Sequence, residues 1–184
     1  MEWEKRSAYV YIKTYNGKTE TVYDKIKEFG NTIGVFMTSG NYDLVWWVDT
    51  QDVKDAYNWI SQVRGWTEVE WTSTYQTYYG YRNETGYWEK PYIGWFKVRT
   101  KDFRTTYDEW QNSEWVGVAT SITGDYDWIC MFYGDTYEEL YKYMYELKSK
   151  GYDYEYYPVL KSYWNTEYQQ KWQEFTTAAY QTQN

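Results

Sequence analysis

The sequence predicts an α+β fold made of two tandem ferredoxin-like (β-α-β-β-α-β) repeats, whose antiparallel sheets face each other as a pseudo-dimeric α/β barrel. The first observation is a short motif, Gly-Asn/Asp-Tyr-Asp, at residues 40–43 and again at 124–127, each time between two apolar runs. The two copies are 84 residues apart, and a fixed offset of this kind marks an internal repeat. The second observation is that strand-like and helix-like apolar spacings follow in the same order around both motifs.

The spacing of apolar side chains predicts the elements of the first repeat, which we place within residues 1–72. Alternation predicts half-buried strands, and a spacing of three or four residues predicts helices. A short turn at Gly40 joins two of the strands into a hairpin. The predicted elements are a strand over 8–13, a helix over 19–29, strands over 33–38 and 44–48, a helix with Val53, Ala56, Tyr57, Ile60 and Val63 on one face, and a strand over 67–72.

Residues 92–158 repeat this order. The strand over 92–98 aligns with 8–14 at the same offset, which matches Lys97 with Lys13. The remaining predicted elements are a helix with Phe103, Tyr107 and Trp110, strands over 116–123 and 127–133, a helix with Tyr137, Leu140, Tyr141, Met144 and Leu147 that begins with a capping box at Thr136 and Glu139, and a strand over 152–157 that Pro158 ends.

Two segments lie outside the predicted repeats. Residues 73–91 are rich in Tyr, Thr and Gly, and we interpret them as an aromatic connector in which 75–81 is a candidate strand. Residues 159–184 form a C-terminal tail. This tail is predicted to contain a helix with Trp164, Tyr168, Trp172 and Phe175 as its packing stripe.

Composition excludes several classes of protein. The net charge of −8 argues against direct nucleic-acid binding, which needs a basic surface for the phosphates. No run of 18 apolar residues and no basic start followed by an apolar run is present, so we expect a cytoplasmic protein with no membrane partner. A single cysteine, Cys130, excludes an internal disulfide framework. The chain has 26 Tyr and 13 Trp but only four Leu, so its core must be partly amphipathic or much ring surface is exposed.

The sequence contains no recognisable catalytic constellation. It has no histidine, which excludes Ser-His and Cys-His nucleophile systems and histidine-bound metals. No glycine-rich phosphate loop, zinc spacing or calcium loop is present. We therefore predict no catalytic residues, no metal site and no cofactor, and we favour a non-catalytic protein while leaving enzymatic activity open.

The first repeat resembles the effector-binding (RAM-type) domain of Lrp/AsnC regulators. The residues that carry the likeness are the Gly17-Lys18 turn, the stretch Val-Phe-Met-Thr-Ser-Gly-Asn-Tyr-Asp-Leu-Val at 35–45, the acidic cap at 49–52 and the closing strand at 65–72. The likeness is weaker in the second repeat outside 124–127. No basic helix-turn-helix region precedes Ala8, so the DNA-binding half of such regulators is not expected.

In that family two domains pair sheet against sheet, and small effectors, often amino acids, bind between them near the glycine turn. The resemblance therefore implies ligand binding at Gly40, Tyr42, Asp43, Gly124, Tyr126 and Asp127. A competing interpretation of the two aspartates is that each caps its turn through backbone N–H groups. Likewise, the rings of Tyr9, Tyr11, Trp46, Trp47, Trp71, Trp95 and Trp128 either line a pocket or fill the space between the sheets.

Three functions remain open on the sequence alone. The leading hypothesis is a non-catalytic small-ligand-binding or sensing module that responds to a small-molecule effector. The first alternative is a self-assembling structural protein, an oligomer or filament subunit. Self-association is expected because related domains oligomerise and because we expect a surface rich in Tyr, Gln and Thr. The second alternative is a cofactor-free oxygenase of the dimeric α/β-barrel type, which needs an aromatic cavity rather than a histidine.

Overall fold

The order β-α-β-β-α-β occurs twice along the chain. The computed structural model describes residues 7–50, 53–82, 90–168 and 170. Its elements are β1 (Ser7–Thr14), α1 (Thr19–Lys27), β2 (Thr32–Thr38), β3 (Leu44–Asp49), α2 (Val53–Arg64), β4 (Val69–Arg82), β5 (Tyr92–Arg99), α3 (Phe103–Gln111), β6 (Val116–Ile122), β7 (Trp128–Gly134), α4 (Tyr137–Ser149) and β8 (Asp153–Trp164). None of the described helices is long and apolar enough to cross a bilayer.

The eight strands close into an antiparallel barrel in the order β1-β3-β2-β8-β5-β7-β6-β4. Two long strands make this closure. The first part of β4 pairs with β1, and its last residues, from Thr77 onward, pair with β6. In the same way, β8 pairs first with β5 and then, from Val159 onward, with β2. Each long strand therefore belongs to both halves, and the closed sheet has no free edge.

Both long strands extend beyond their predicted ends. Residues 73–82 continue β4, so the candidate strand over 75–81 is part of a longer strand, and 83–89 lie outside the described residues. The prediction that Pro158 ends the last strand is wrong, because β8 runs to Trp164 and the helical residues of the tail begin only at 166. Pro158 lies where β8 leaves β5 and joins β2. Its missing N–H is tolerated at such a change of partner. The predicted packing residues Trp172 and Phe175 are outside the described residues.

The core has three layers of side chains, one inside the barrel and one under each pair of helices. Strand alternation separates them: Tyr9 and Tyr11 of β1 face the interior, and Val10 faces the helices. Four predicted helix-packing residues are instead largely exposed, namely Tyr57 (70%), Tyr141 (58%), Tyr137 (49%) and Phe103 (44%). A tyrosine beside an apolar stripe keeps its hydroxyl in water, so the buried stripes are narrower than predicted.

The equivalence of β1 and β5 differs by two residues from the prediction. Ile12 pairs with Leu44 in the first half, and Val98 pairs with Trp128 in the second. Equivalent positions in β1 and β5 are therefore 86 residues apart, although the turns are 84 apart. The predicted match of Lys97 with Lys13 is wrong. Lys97 occupies the interior position that Tyr11 has in the first half. The offset changes because the segment between the first strand and the turn is two residues shorter in the second half than in the first.

Candidate functional site at the two glycine turns

Both predicted turns depend on glycine for their backbone conformation. Gly40 has a φ of 123° and Gly124 a φ of 127°, values that residues with a Cβ rarely adopt. Each turn also covers a tyrosine on the long strand of the other half. A Cβ built on Gly40 would lie 3.7 Å from the Tyr157 ring, and one on Gly124 would lie 3.8 Å from the Tyr75 ring. These distances are ordinary contacts, so backbone conformation rather than space requires glycine here.

The two aspartates hold the turns against the ends of the first strands. Asp43 accepts hydrogen bonds from the Thr14 backbone N–H at 2.8 Å, from the Thr14 hydroxyl at 3.0 Å and from Lys13 Nζ at 3.0 Å. Asp127 accepts one from the backbone N–H of Thr100 at 2.7 Å. Each aspartate thus ties its turn to the end of the first strand, 29 residues away for Asp43 and 27 for Asp127, so both side chains have a structural role. Ligand binding by these two residues stays a prediction.

The two turn tyrosines, in contrast, converge on one charged group. The ammonium nitrogen of Lys97 lies 5.4 Å from the ring centre of Tyr42 and 4.9 Å from that of Tyr126. Their hydroxyls lie beside equivalent residues of the two long strands, Ser73 for Tyr42 and Glu155 for Tyr126. Burial, the largest cause, raises the pKa of Tyr126 to about 12, and the Glu155 carboxylate adds to this shift.

Lys97 is enclosed by a set of rings that we call the tyrosine cage. The residue is only 3% exposed. Ammonium ions are attracted to aromatic faces within about 6 Å of the ring centre. The cage consists of Tyr11, Tyr42, Tyr75, Tyr126 and Tyr157, whose ring centres lie 5.3, 5.4, 5.4, 4.9 and 5.5 Å from Lys97 Nζ.

Glu155 supplies the negative charge of the cage. It lies directly across from Lys97 in the β5–β8 ladder, and the Nζ–Oε2 distance is 2.5 Å. The Tyr157 hydroxyl donates to the same carboxylate, and Lys97 Nζ donates to the Tyr75 hydroxyl at 3.3 Å. The Glu155 side chain is 35% exposed, so one member of the ion pair contacts solvent while the Lys97 ammonium is buried.

The pair keeps both groups charged. Burial lowers the pKa of Lys97, but the hydrogen bond to Glu155 and the nearby tyrosines outweigh it and raise the pKa above its usual 10.5. Burial also raises the pKa of Glu155, but hydrogen bonds from Lys97 and Tyr157 outweigh it and lower the pKa below its usual 4.5. The site therefore holds a fixed ion pair throughout the neutral pH range.

The cage is assembled in matched contributions from the two halves. Tyr42 and Tyr126 come from the two turns, and Tyr75 and Tyr157 from the two long strands. The pairing of Tyr11 with Ser73 in the first half takes the place of the pairing of Lys97 with Glu155 in the second. The ion pair is thus the part of the cage in which the two halves differ in charge.

Aromatic rings share the rest of the described barrel interior with aliphatic side chains such as Ile129 and Met131. Tyr9 stacks on Trp47 at 5.3 Å between ring centres, and Trp95 contacts Tyr9 at 5.2 Å and Phe36 at 5.1 Å. The other rings proposed for a pocket lie elsewhere. Trp46 and Trp128 belong to the layers under the helices, and Trp71 is 45% exposed.

A separate cleft of about 850 Å³ opens on the outer surface of the second half. It lies between the end of α3 and α4, with Trp115, Tyr143 and Glu139 in its walls. It shares no residue with the tyrosine cage and has charged residues of its own, among them Lys90, Asp135 and Glu139. Among the described residues, no group of acidic or cysteine side chains is arranged to hold a metal ion.

Comparison with known proteins identifies the fold. No family model matches the chain, and no curated protein matches it. A crystal structure of the siroheme decarboxylase NirDL in co-complex with an iron-uroporphyrin III analogue is similar over 94% of this chain and 79% of that chain, with 11% identity and a TM-score of 0.65. A mutant chlorite dismutase from Candidatus Nitrospira defluvii is similar over 84% of this chain and 91% of that one, with 10% identity and a TM-score of 0.54.

A shorter likeness joins the chain to FFRP-DM1, with 29% identity over 37% of this chain and 92% of that chain and a TM-score of 0.36. The protein is therefore an α+β protein with a closed eight-stranded antiparallel barrel, of the type found in dimeric α/β-barrel proteins. The functions named for these structures are mixed, so the fold by itself does not select one of them.

Sequence reasoning found the two turns but missed Lys97, Glu155, Tyr75 and Tyr157 as parts of one site. A usable signal was present. In β5, Ile93 and Trp95 alternate toward the interior, and the next inward position is a lysine. A lysine at an inward strand position requires a partner, since an unpaired buried charge is costly.

Proposed function

We propose that this protein is a non-catalytic small-ligand-binding or sensing module, of the kind that the resemblance to Lrp/AsnC effector domains implies. We place its ligand site at the solvent side of the tyrosine cage. One observation carries this proposal: Tyr42 and Tyr126, from the two repeated turns, meet on a single ion pair whose carboxylate, that of Glu155, remains 35% exposed.

The charges at this site favour binding over catalysis. A general acid or base works best with a pKa near the working pH. Here the pKa of Lys97 is raised above 10.5 and that of Glu155 is lowered below 4.5, so both move away from neutrality. Fixed charges of this kind orient a ligand but exchange no proton at neutral pH.

The rim of the site carries both signs of charge. The Arg99 guanidinium lies 5.0 Å from the Tyr126 ring centre and donates to the Asp153 carboxylate at 2.9 Å. Glu155 lies beside them in the same strand as Asp153. Small polar molecules that carry a charge or are zwitterionic fit such a rim, because each charged end finds a counter-charge and an aromatic surface.

A thermal-shift and calorimetric screen of small polar, cationic and zwitterionic compounds tests this proposal. A compound that binds the folded state should raise the unfolding free energy by about 2.7 kcal/mol at 100 times its Kd. The Glu155→Gln variant should weaken the response at least tenfold, and Glu138→Gln, an exposed change on α4, should leave it unaltered. A wild-type protein that no compound stabilises would contradict the proposal, as would a response that Glu155→Gln leaves intact.

Self-assembly as a structural protein is the second candidate, and an exposed tyrosine row on α4 favours it. Tyr137, Tyr141 and Tyr145 are 49%, 58% and 77% exposed and recur at intervals of four, so they share one helix face. Exposed aromatic surface often marks an interface. Light scattering across a concentration series tests this candidate: growth of the particle that Tyr141→Lys abolishes supports it, and a constant monomer mass rejects it.

The cofactor-free oxygenase has less support. It needs interior space for oxygen and an organic substrate, and rings such as Trp47 and Trp95, both at most 1% exposed, occupy the described interior.

A further inference from the structure

The tyrosine cage has the composition of a receptor for an organic ammonium ion. Five tyrosine rings lie 4.9 to 5.5 Å from one nitrogen, and a carboxylate completes the shell at 2.5 Å. Aromatic cages recognise alkylated ammonium ligands because ring faces attract a cation without demanding directional hydrogen bonds. In this chain the cation at the centre is the side chain of Lys97.

We propose that the tyrosine cage is a binding site for an external organic ammonium ion, and that Lys97 is its intramolecular occupant. This inference rests on the proposed function and names the class of its ligand, an alkylammonium or methylated ammonium compound. The ligand takes the place of the Lys97 ammonium against Glu155 and the rings. Lys97 has a flexible four-carbon stem, and its carboxylate partner is already 35% exposed, so the displaced ammonium is close to solvent.

Filling the barrel does not require a lysine at this position. Tyr11 occupies the equivalent position in the first half and is fully buried. A buried ion pair, moreover, adds little stability over apolar residues of similar volume. A charge placed at the centre of five rings is therefore explained better by a site built for a cation than by packing.

Tethering makes Lys97 a strong competitor. A group held beside its site by a short linker acts at an effective concentration in the millimolar range or higher. Removal of the tethered ammonium should therefore strengthen binding of a free amine by about 100-fold or more. The wild-type protein is expected to bind only those amines that exploit the rings better than a primary ammonium does.

Lys97→Ala is the direct test, measured by calorimetry with propylammonium and tetramethylammonium chloride. We expect saturable binding at least 100-fold tighter than in the wild type, and its loss when Glu155→Gln is added. Lys13→Ala is the matched control, because Lys13 also pairs with a carboxylate, at 3.0 Å from Asp43, and no described aromatic ring surrounds its ammonium. Equal binding by both variants would overturn the inference.

Lys97→Met protects the test against loss of folding, since it refills the cage with an uncharged chain of similar length. It should fold and bind no amine, and amine binding by it would overturn the inference. If Lys97→Ala folds only when propylammonium is added, that rescue supports the inference. If Lys97→Ala remains unfolded with the amine while Lys97→Met folds, the inference is overturned.

These outcomes separate the two proposals. If Lys97→Ala binds no amine but the wild-type protein responds to other polar compounds, the inferred ligand class is rejected and the proposed sensing function stands. If Lys97→Ala binds amines but the wild-type protein responds to no compound, the inferred cation site stands and the proposed function is rejected.

Discussion

Replacement of Glu155 by glutamine should destabilise the protein by about 2 kcal/mol at neutral pH. Removing one partner of a fully buried ion pair costs about 3–5 kcal/mol, whereas exposed pairs contribute about 0–1 kcal/mol. The Lys97 side chain is 4% exposed and that of Glu155 35% exposed, so the pair lies between these limits. Glutamine keeps an oxygen for Lys97 and Tyr157, so the loss isolates the charge. For a chain of this length, the midpoint of thermal unfolding should fall by about 4–8 °C.

The pH dependence of this difference is the sharper assay. Because the folded-state pKa of Glu155 is lowered, its contribution is complete above the unfolded value of 4.5 and is lost as the pH falls through the folded-state pKa. Urea unfolding of wild type and variant should therefore diverge at neutral pH and converge in acid. Asp135→Asn is the control, because it removes an equally close pair, at 2.6 Å from Lys90, in which both side chains are more than a third exposed. A difference of equal size in the control, or one that persists in acid, would refute this reasoning.

Three further substitutions test the fold. Gly80→Ala should lower the free energy of unfolding in urea by about 1–3 kcal/mol, because its Cβ would lie 2.6 Å from a backbone oxygen of β6. Gly30→Ala should be nearly neutral, since nothing lies within 4 Å of the added Cβ, and equal effects of the two changes would contradict this reasoning. Asp43→Ala should cost about 2–3 kcal/mol and Asp127→Ala about 1 kcal/mol, since more described hydrogen bonds end on Asp43. The reverse order would count against the role of these aspartates in tying the turns to the first strands. Thr136→Ala should lower the free energy of unfolding by about 1 kcal/mol because it removes the N-cap of α4, and Thr136→Ser should retain that stability. An unchanged unfolding midpoint in Thr136→Ala would show that the cap adds no stability.

Local patterns in the sequence determined much of the fold. Alternation placed Tyr9 and Tyr11 on one face of β1, and helical spacing located all four described helices of the two halves. A glycine in a short hairpin turn predicts a positive φ, and both Gly40 and Gly124 have one. Such features depend on residues close together in the chain, so a single sequence contains enough information to predict them.

Closure of the barrel depends instead on contacts between distant residues. Nothing local distinguishes residues 77–82, which pair with β6, from the preceding part of β4, which pairs with β1. The tyrosine cage is non-local for the same reason, because it joins Tyr11 on β1 to Lys97 on β5 and Tyr157 on β8. The sequence offset also misled: a match at 84 residues paired Lys97 with Lys13, and only the ladder register showed the true partner to be Tyr11.

The asymmetry of the cage depends on having both halves in one chain. Two identical subunits related by a twofold axis must contribute the same residue at equivalent positions, so a lysine in one would require a lysine in the other. Two ammonium groups within the same ring of tyrosines would repel each other strongly in a medium of low dielectric constant. A single chain escapes this constraint, and here it has Tyr11 in one half and Lys97 in the other. With one cation, the cage needs only one carboxylate, and Ser73 occupies the position equivalent to Glu155. The same cage built from two identical chains would have to contain either no lysine or two at this position.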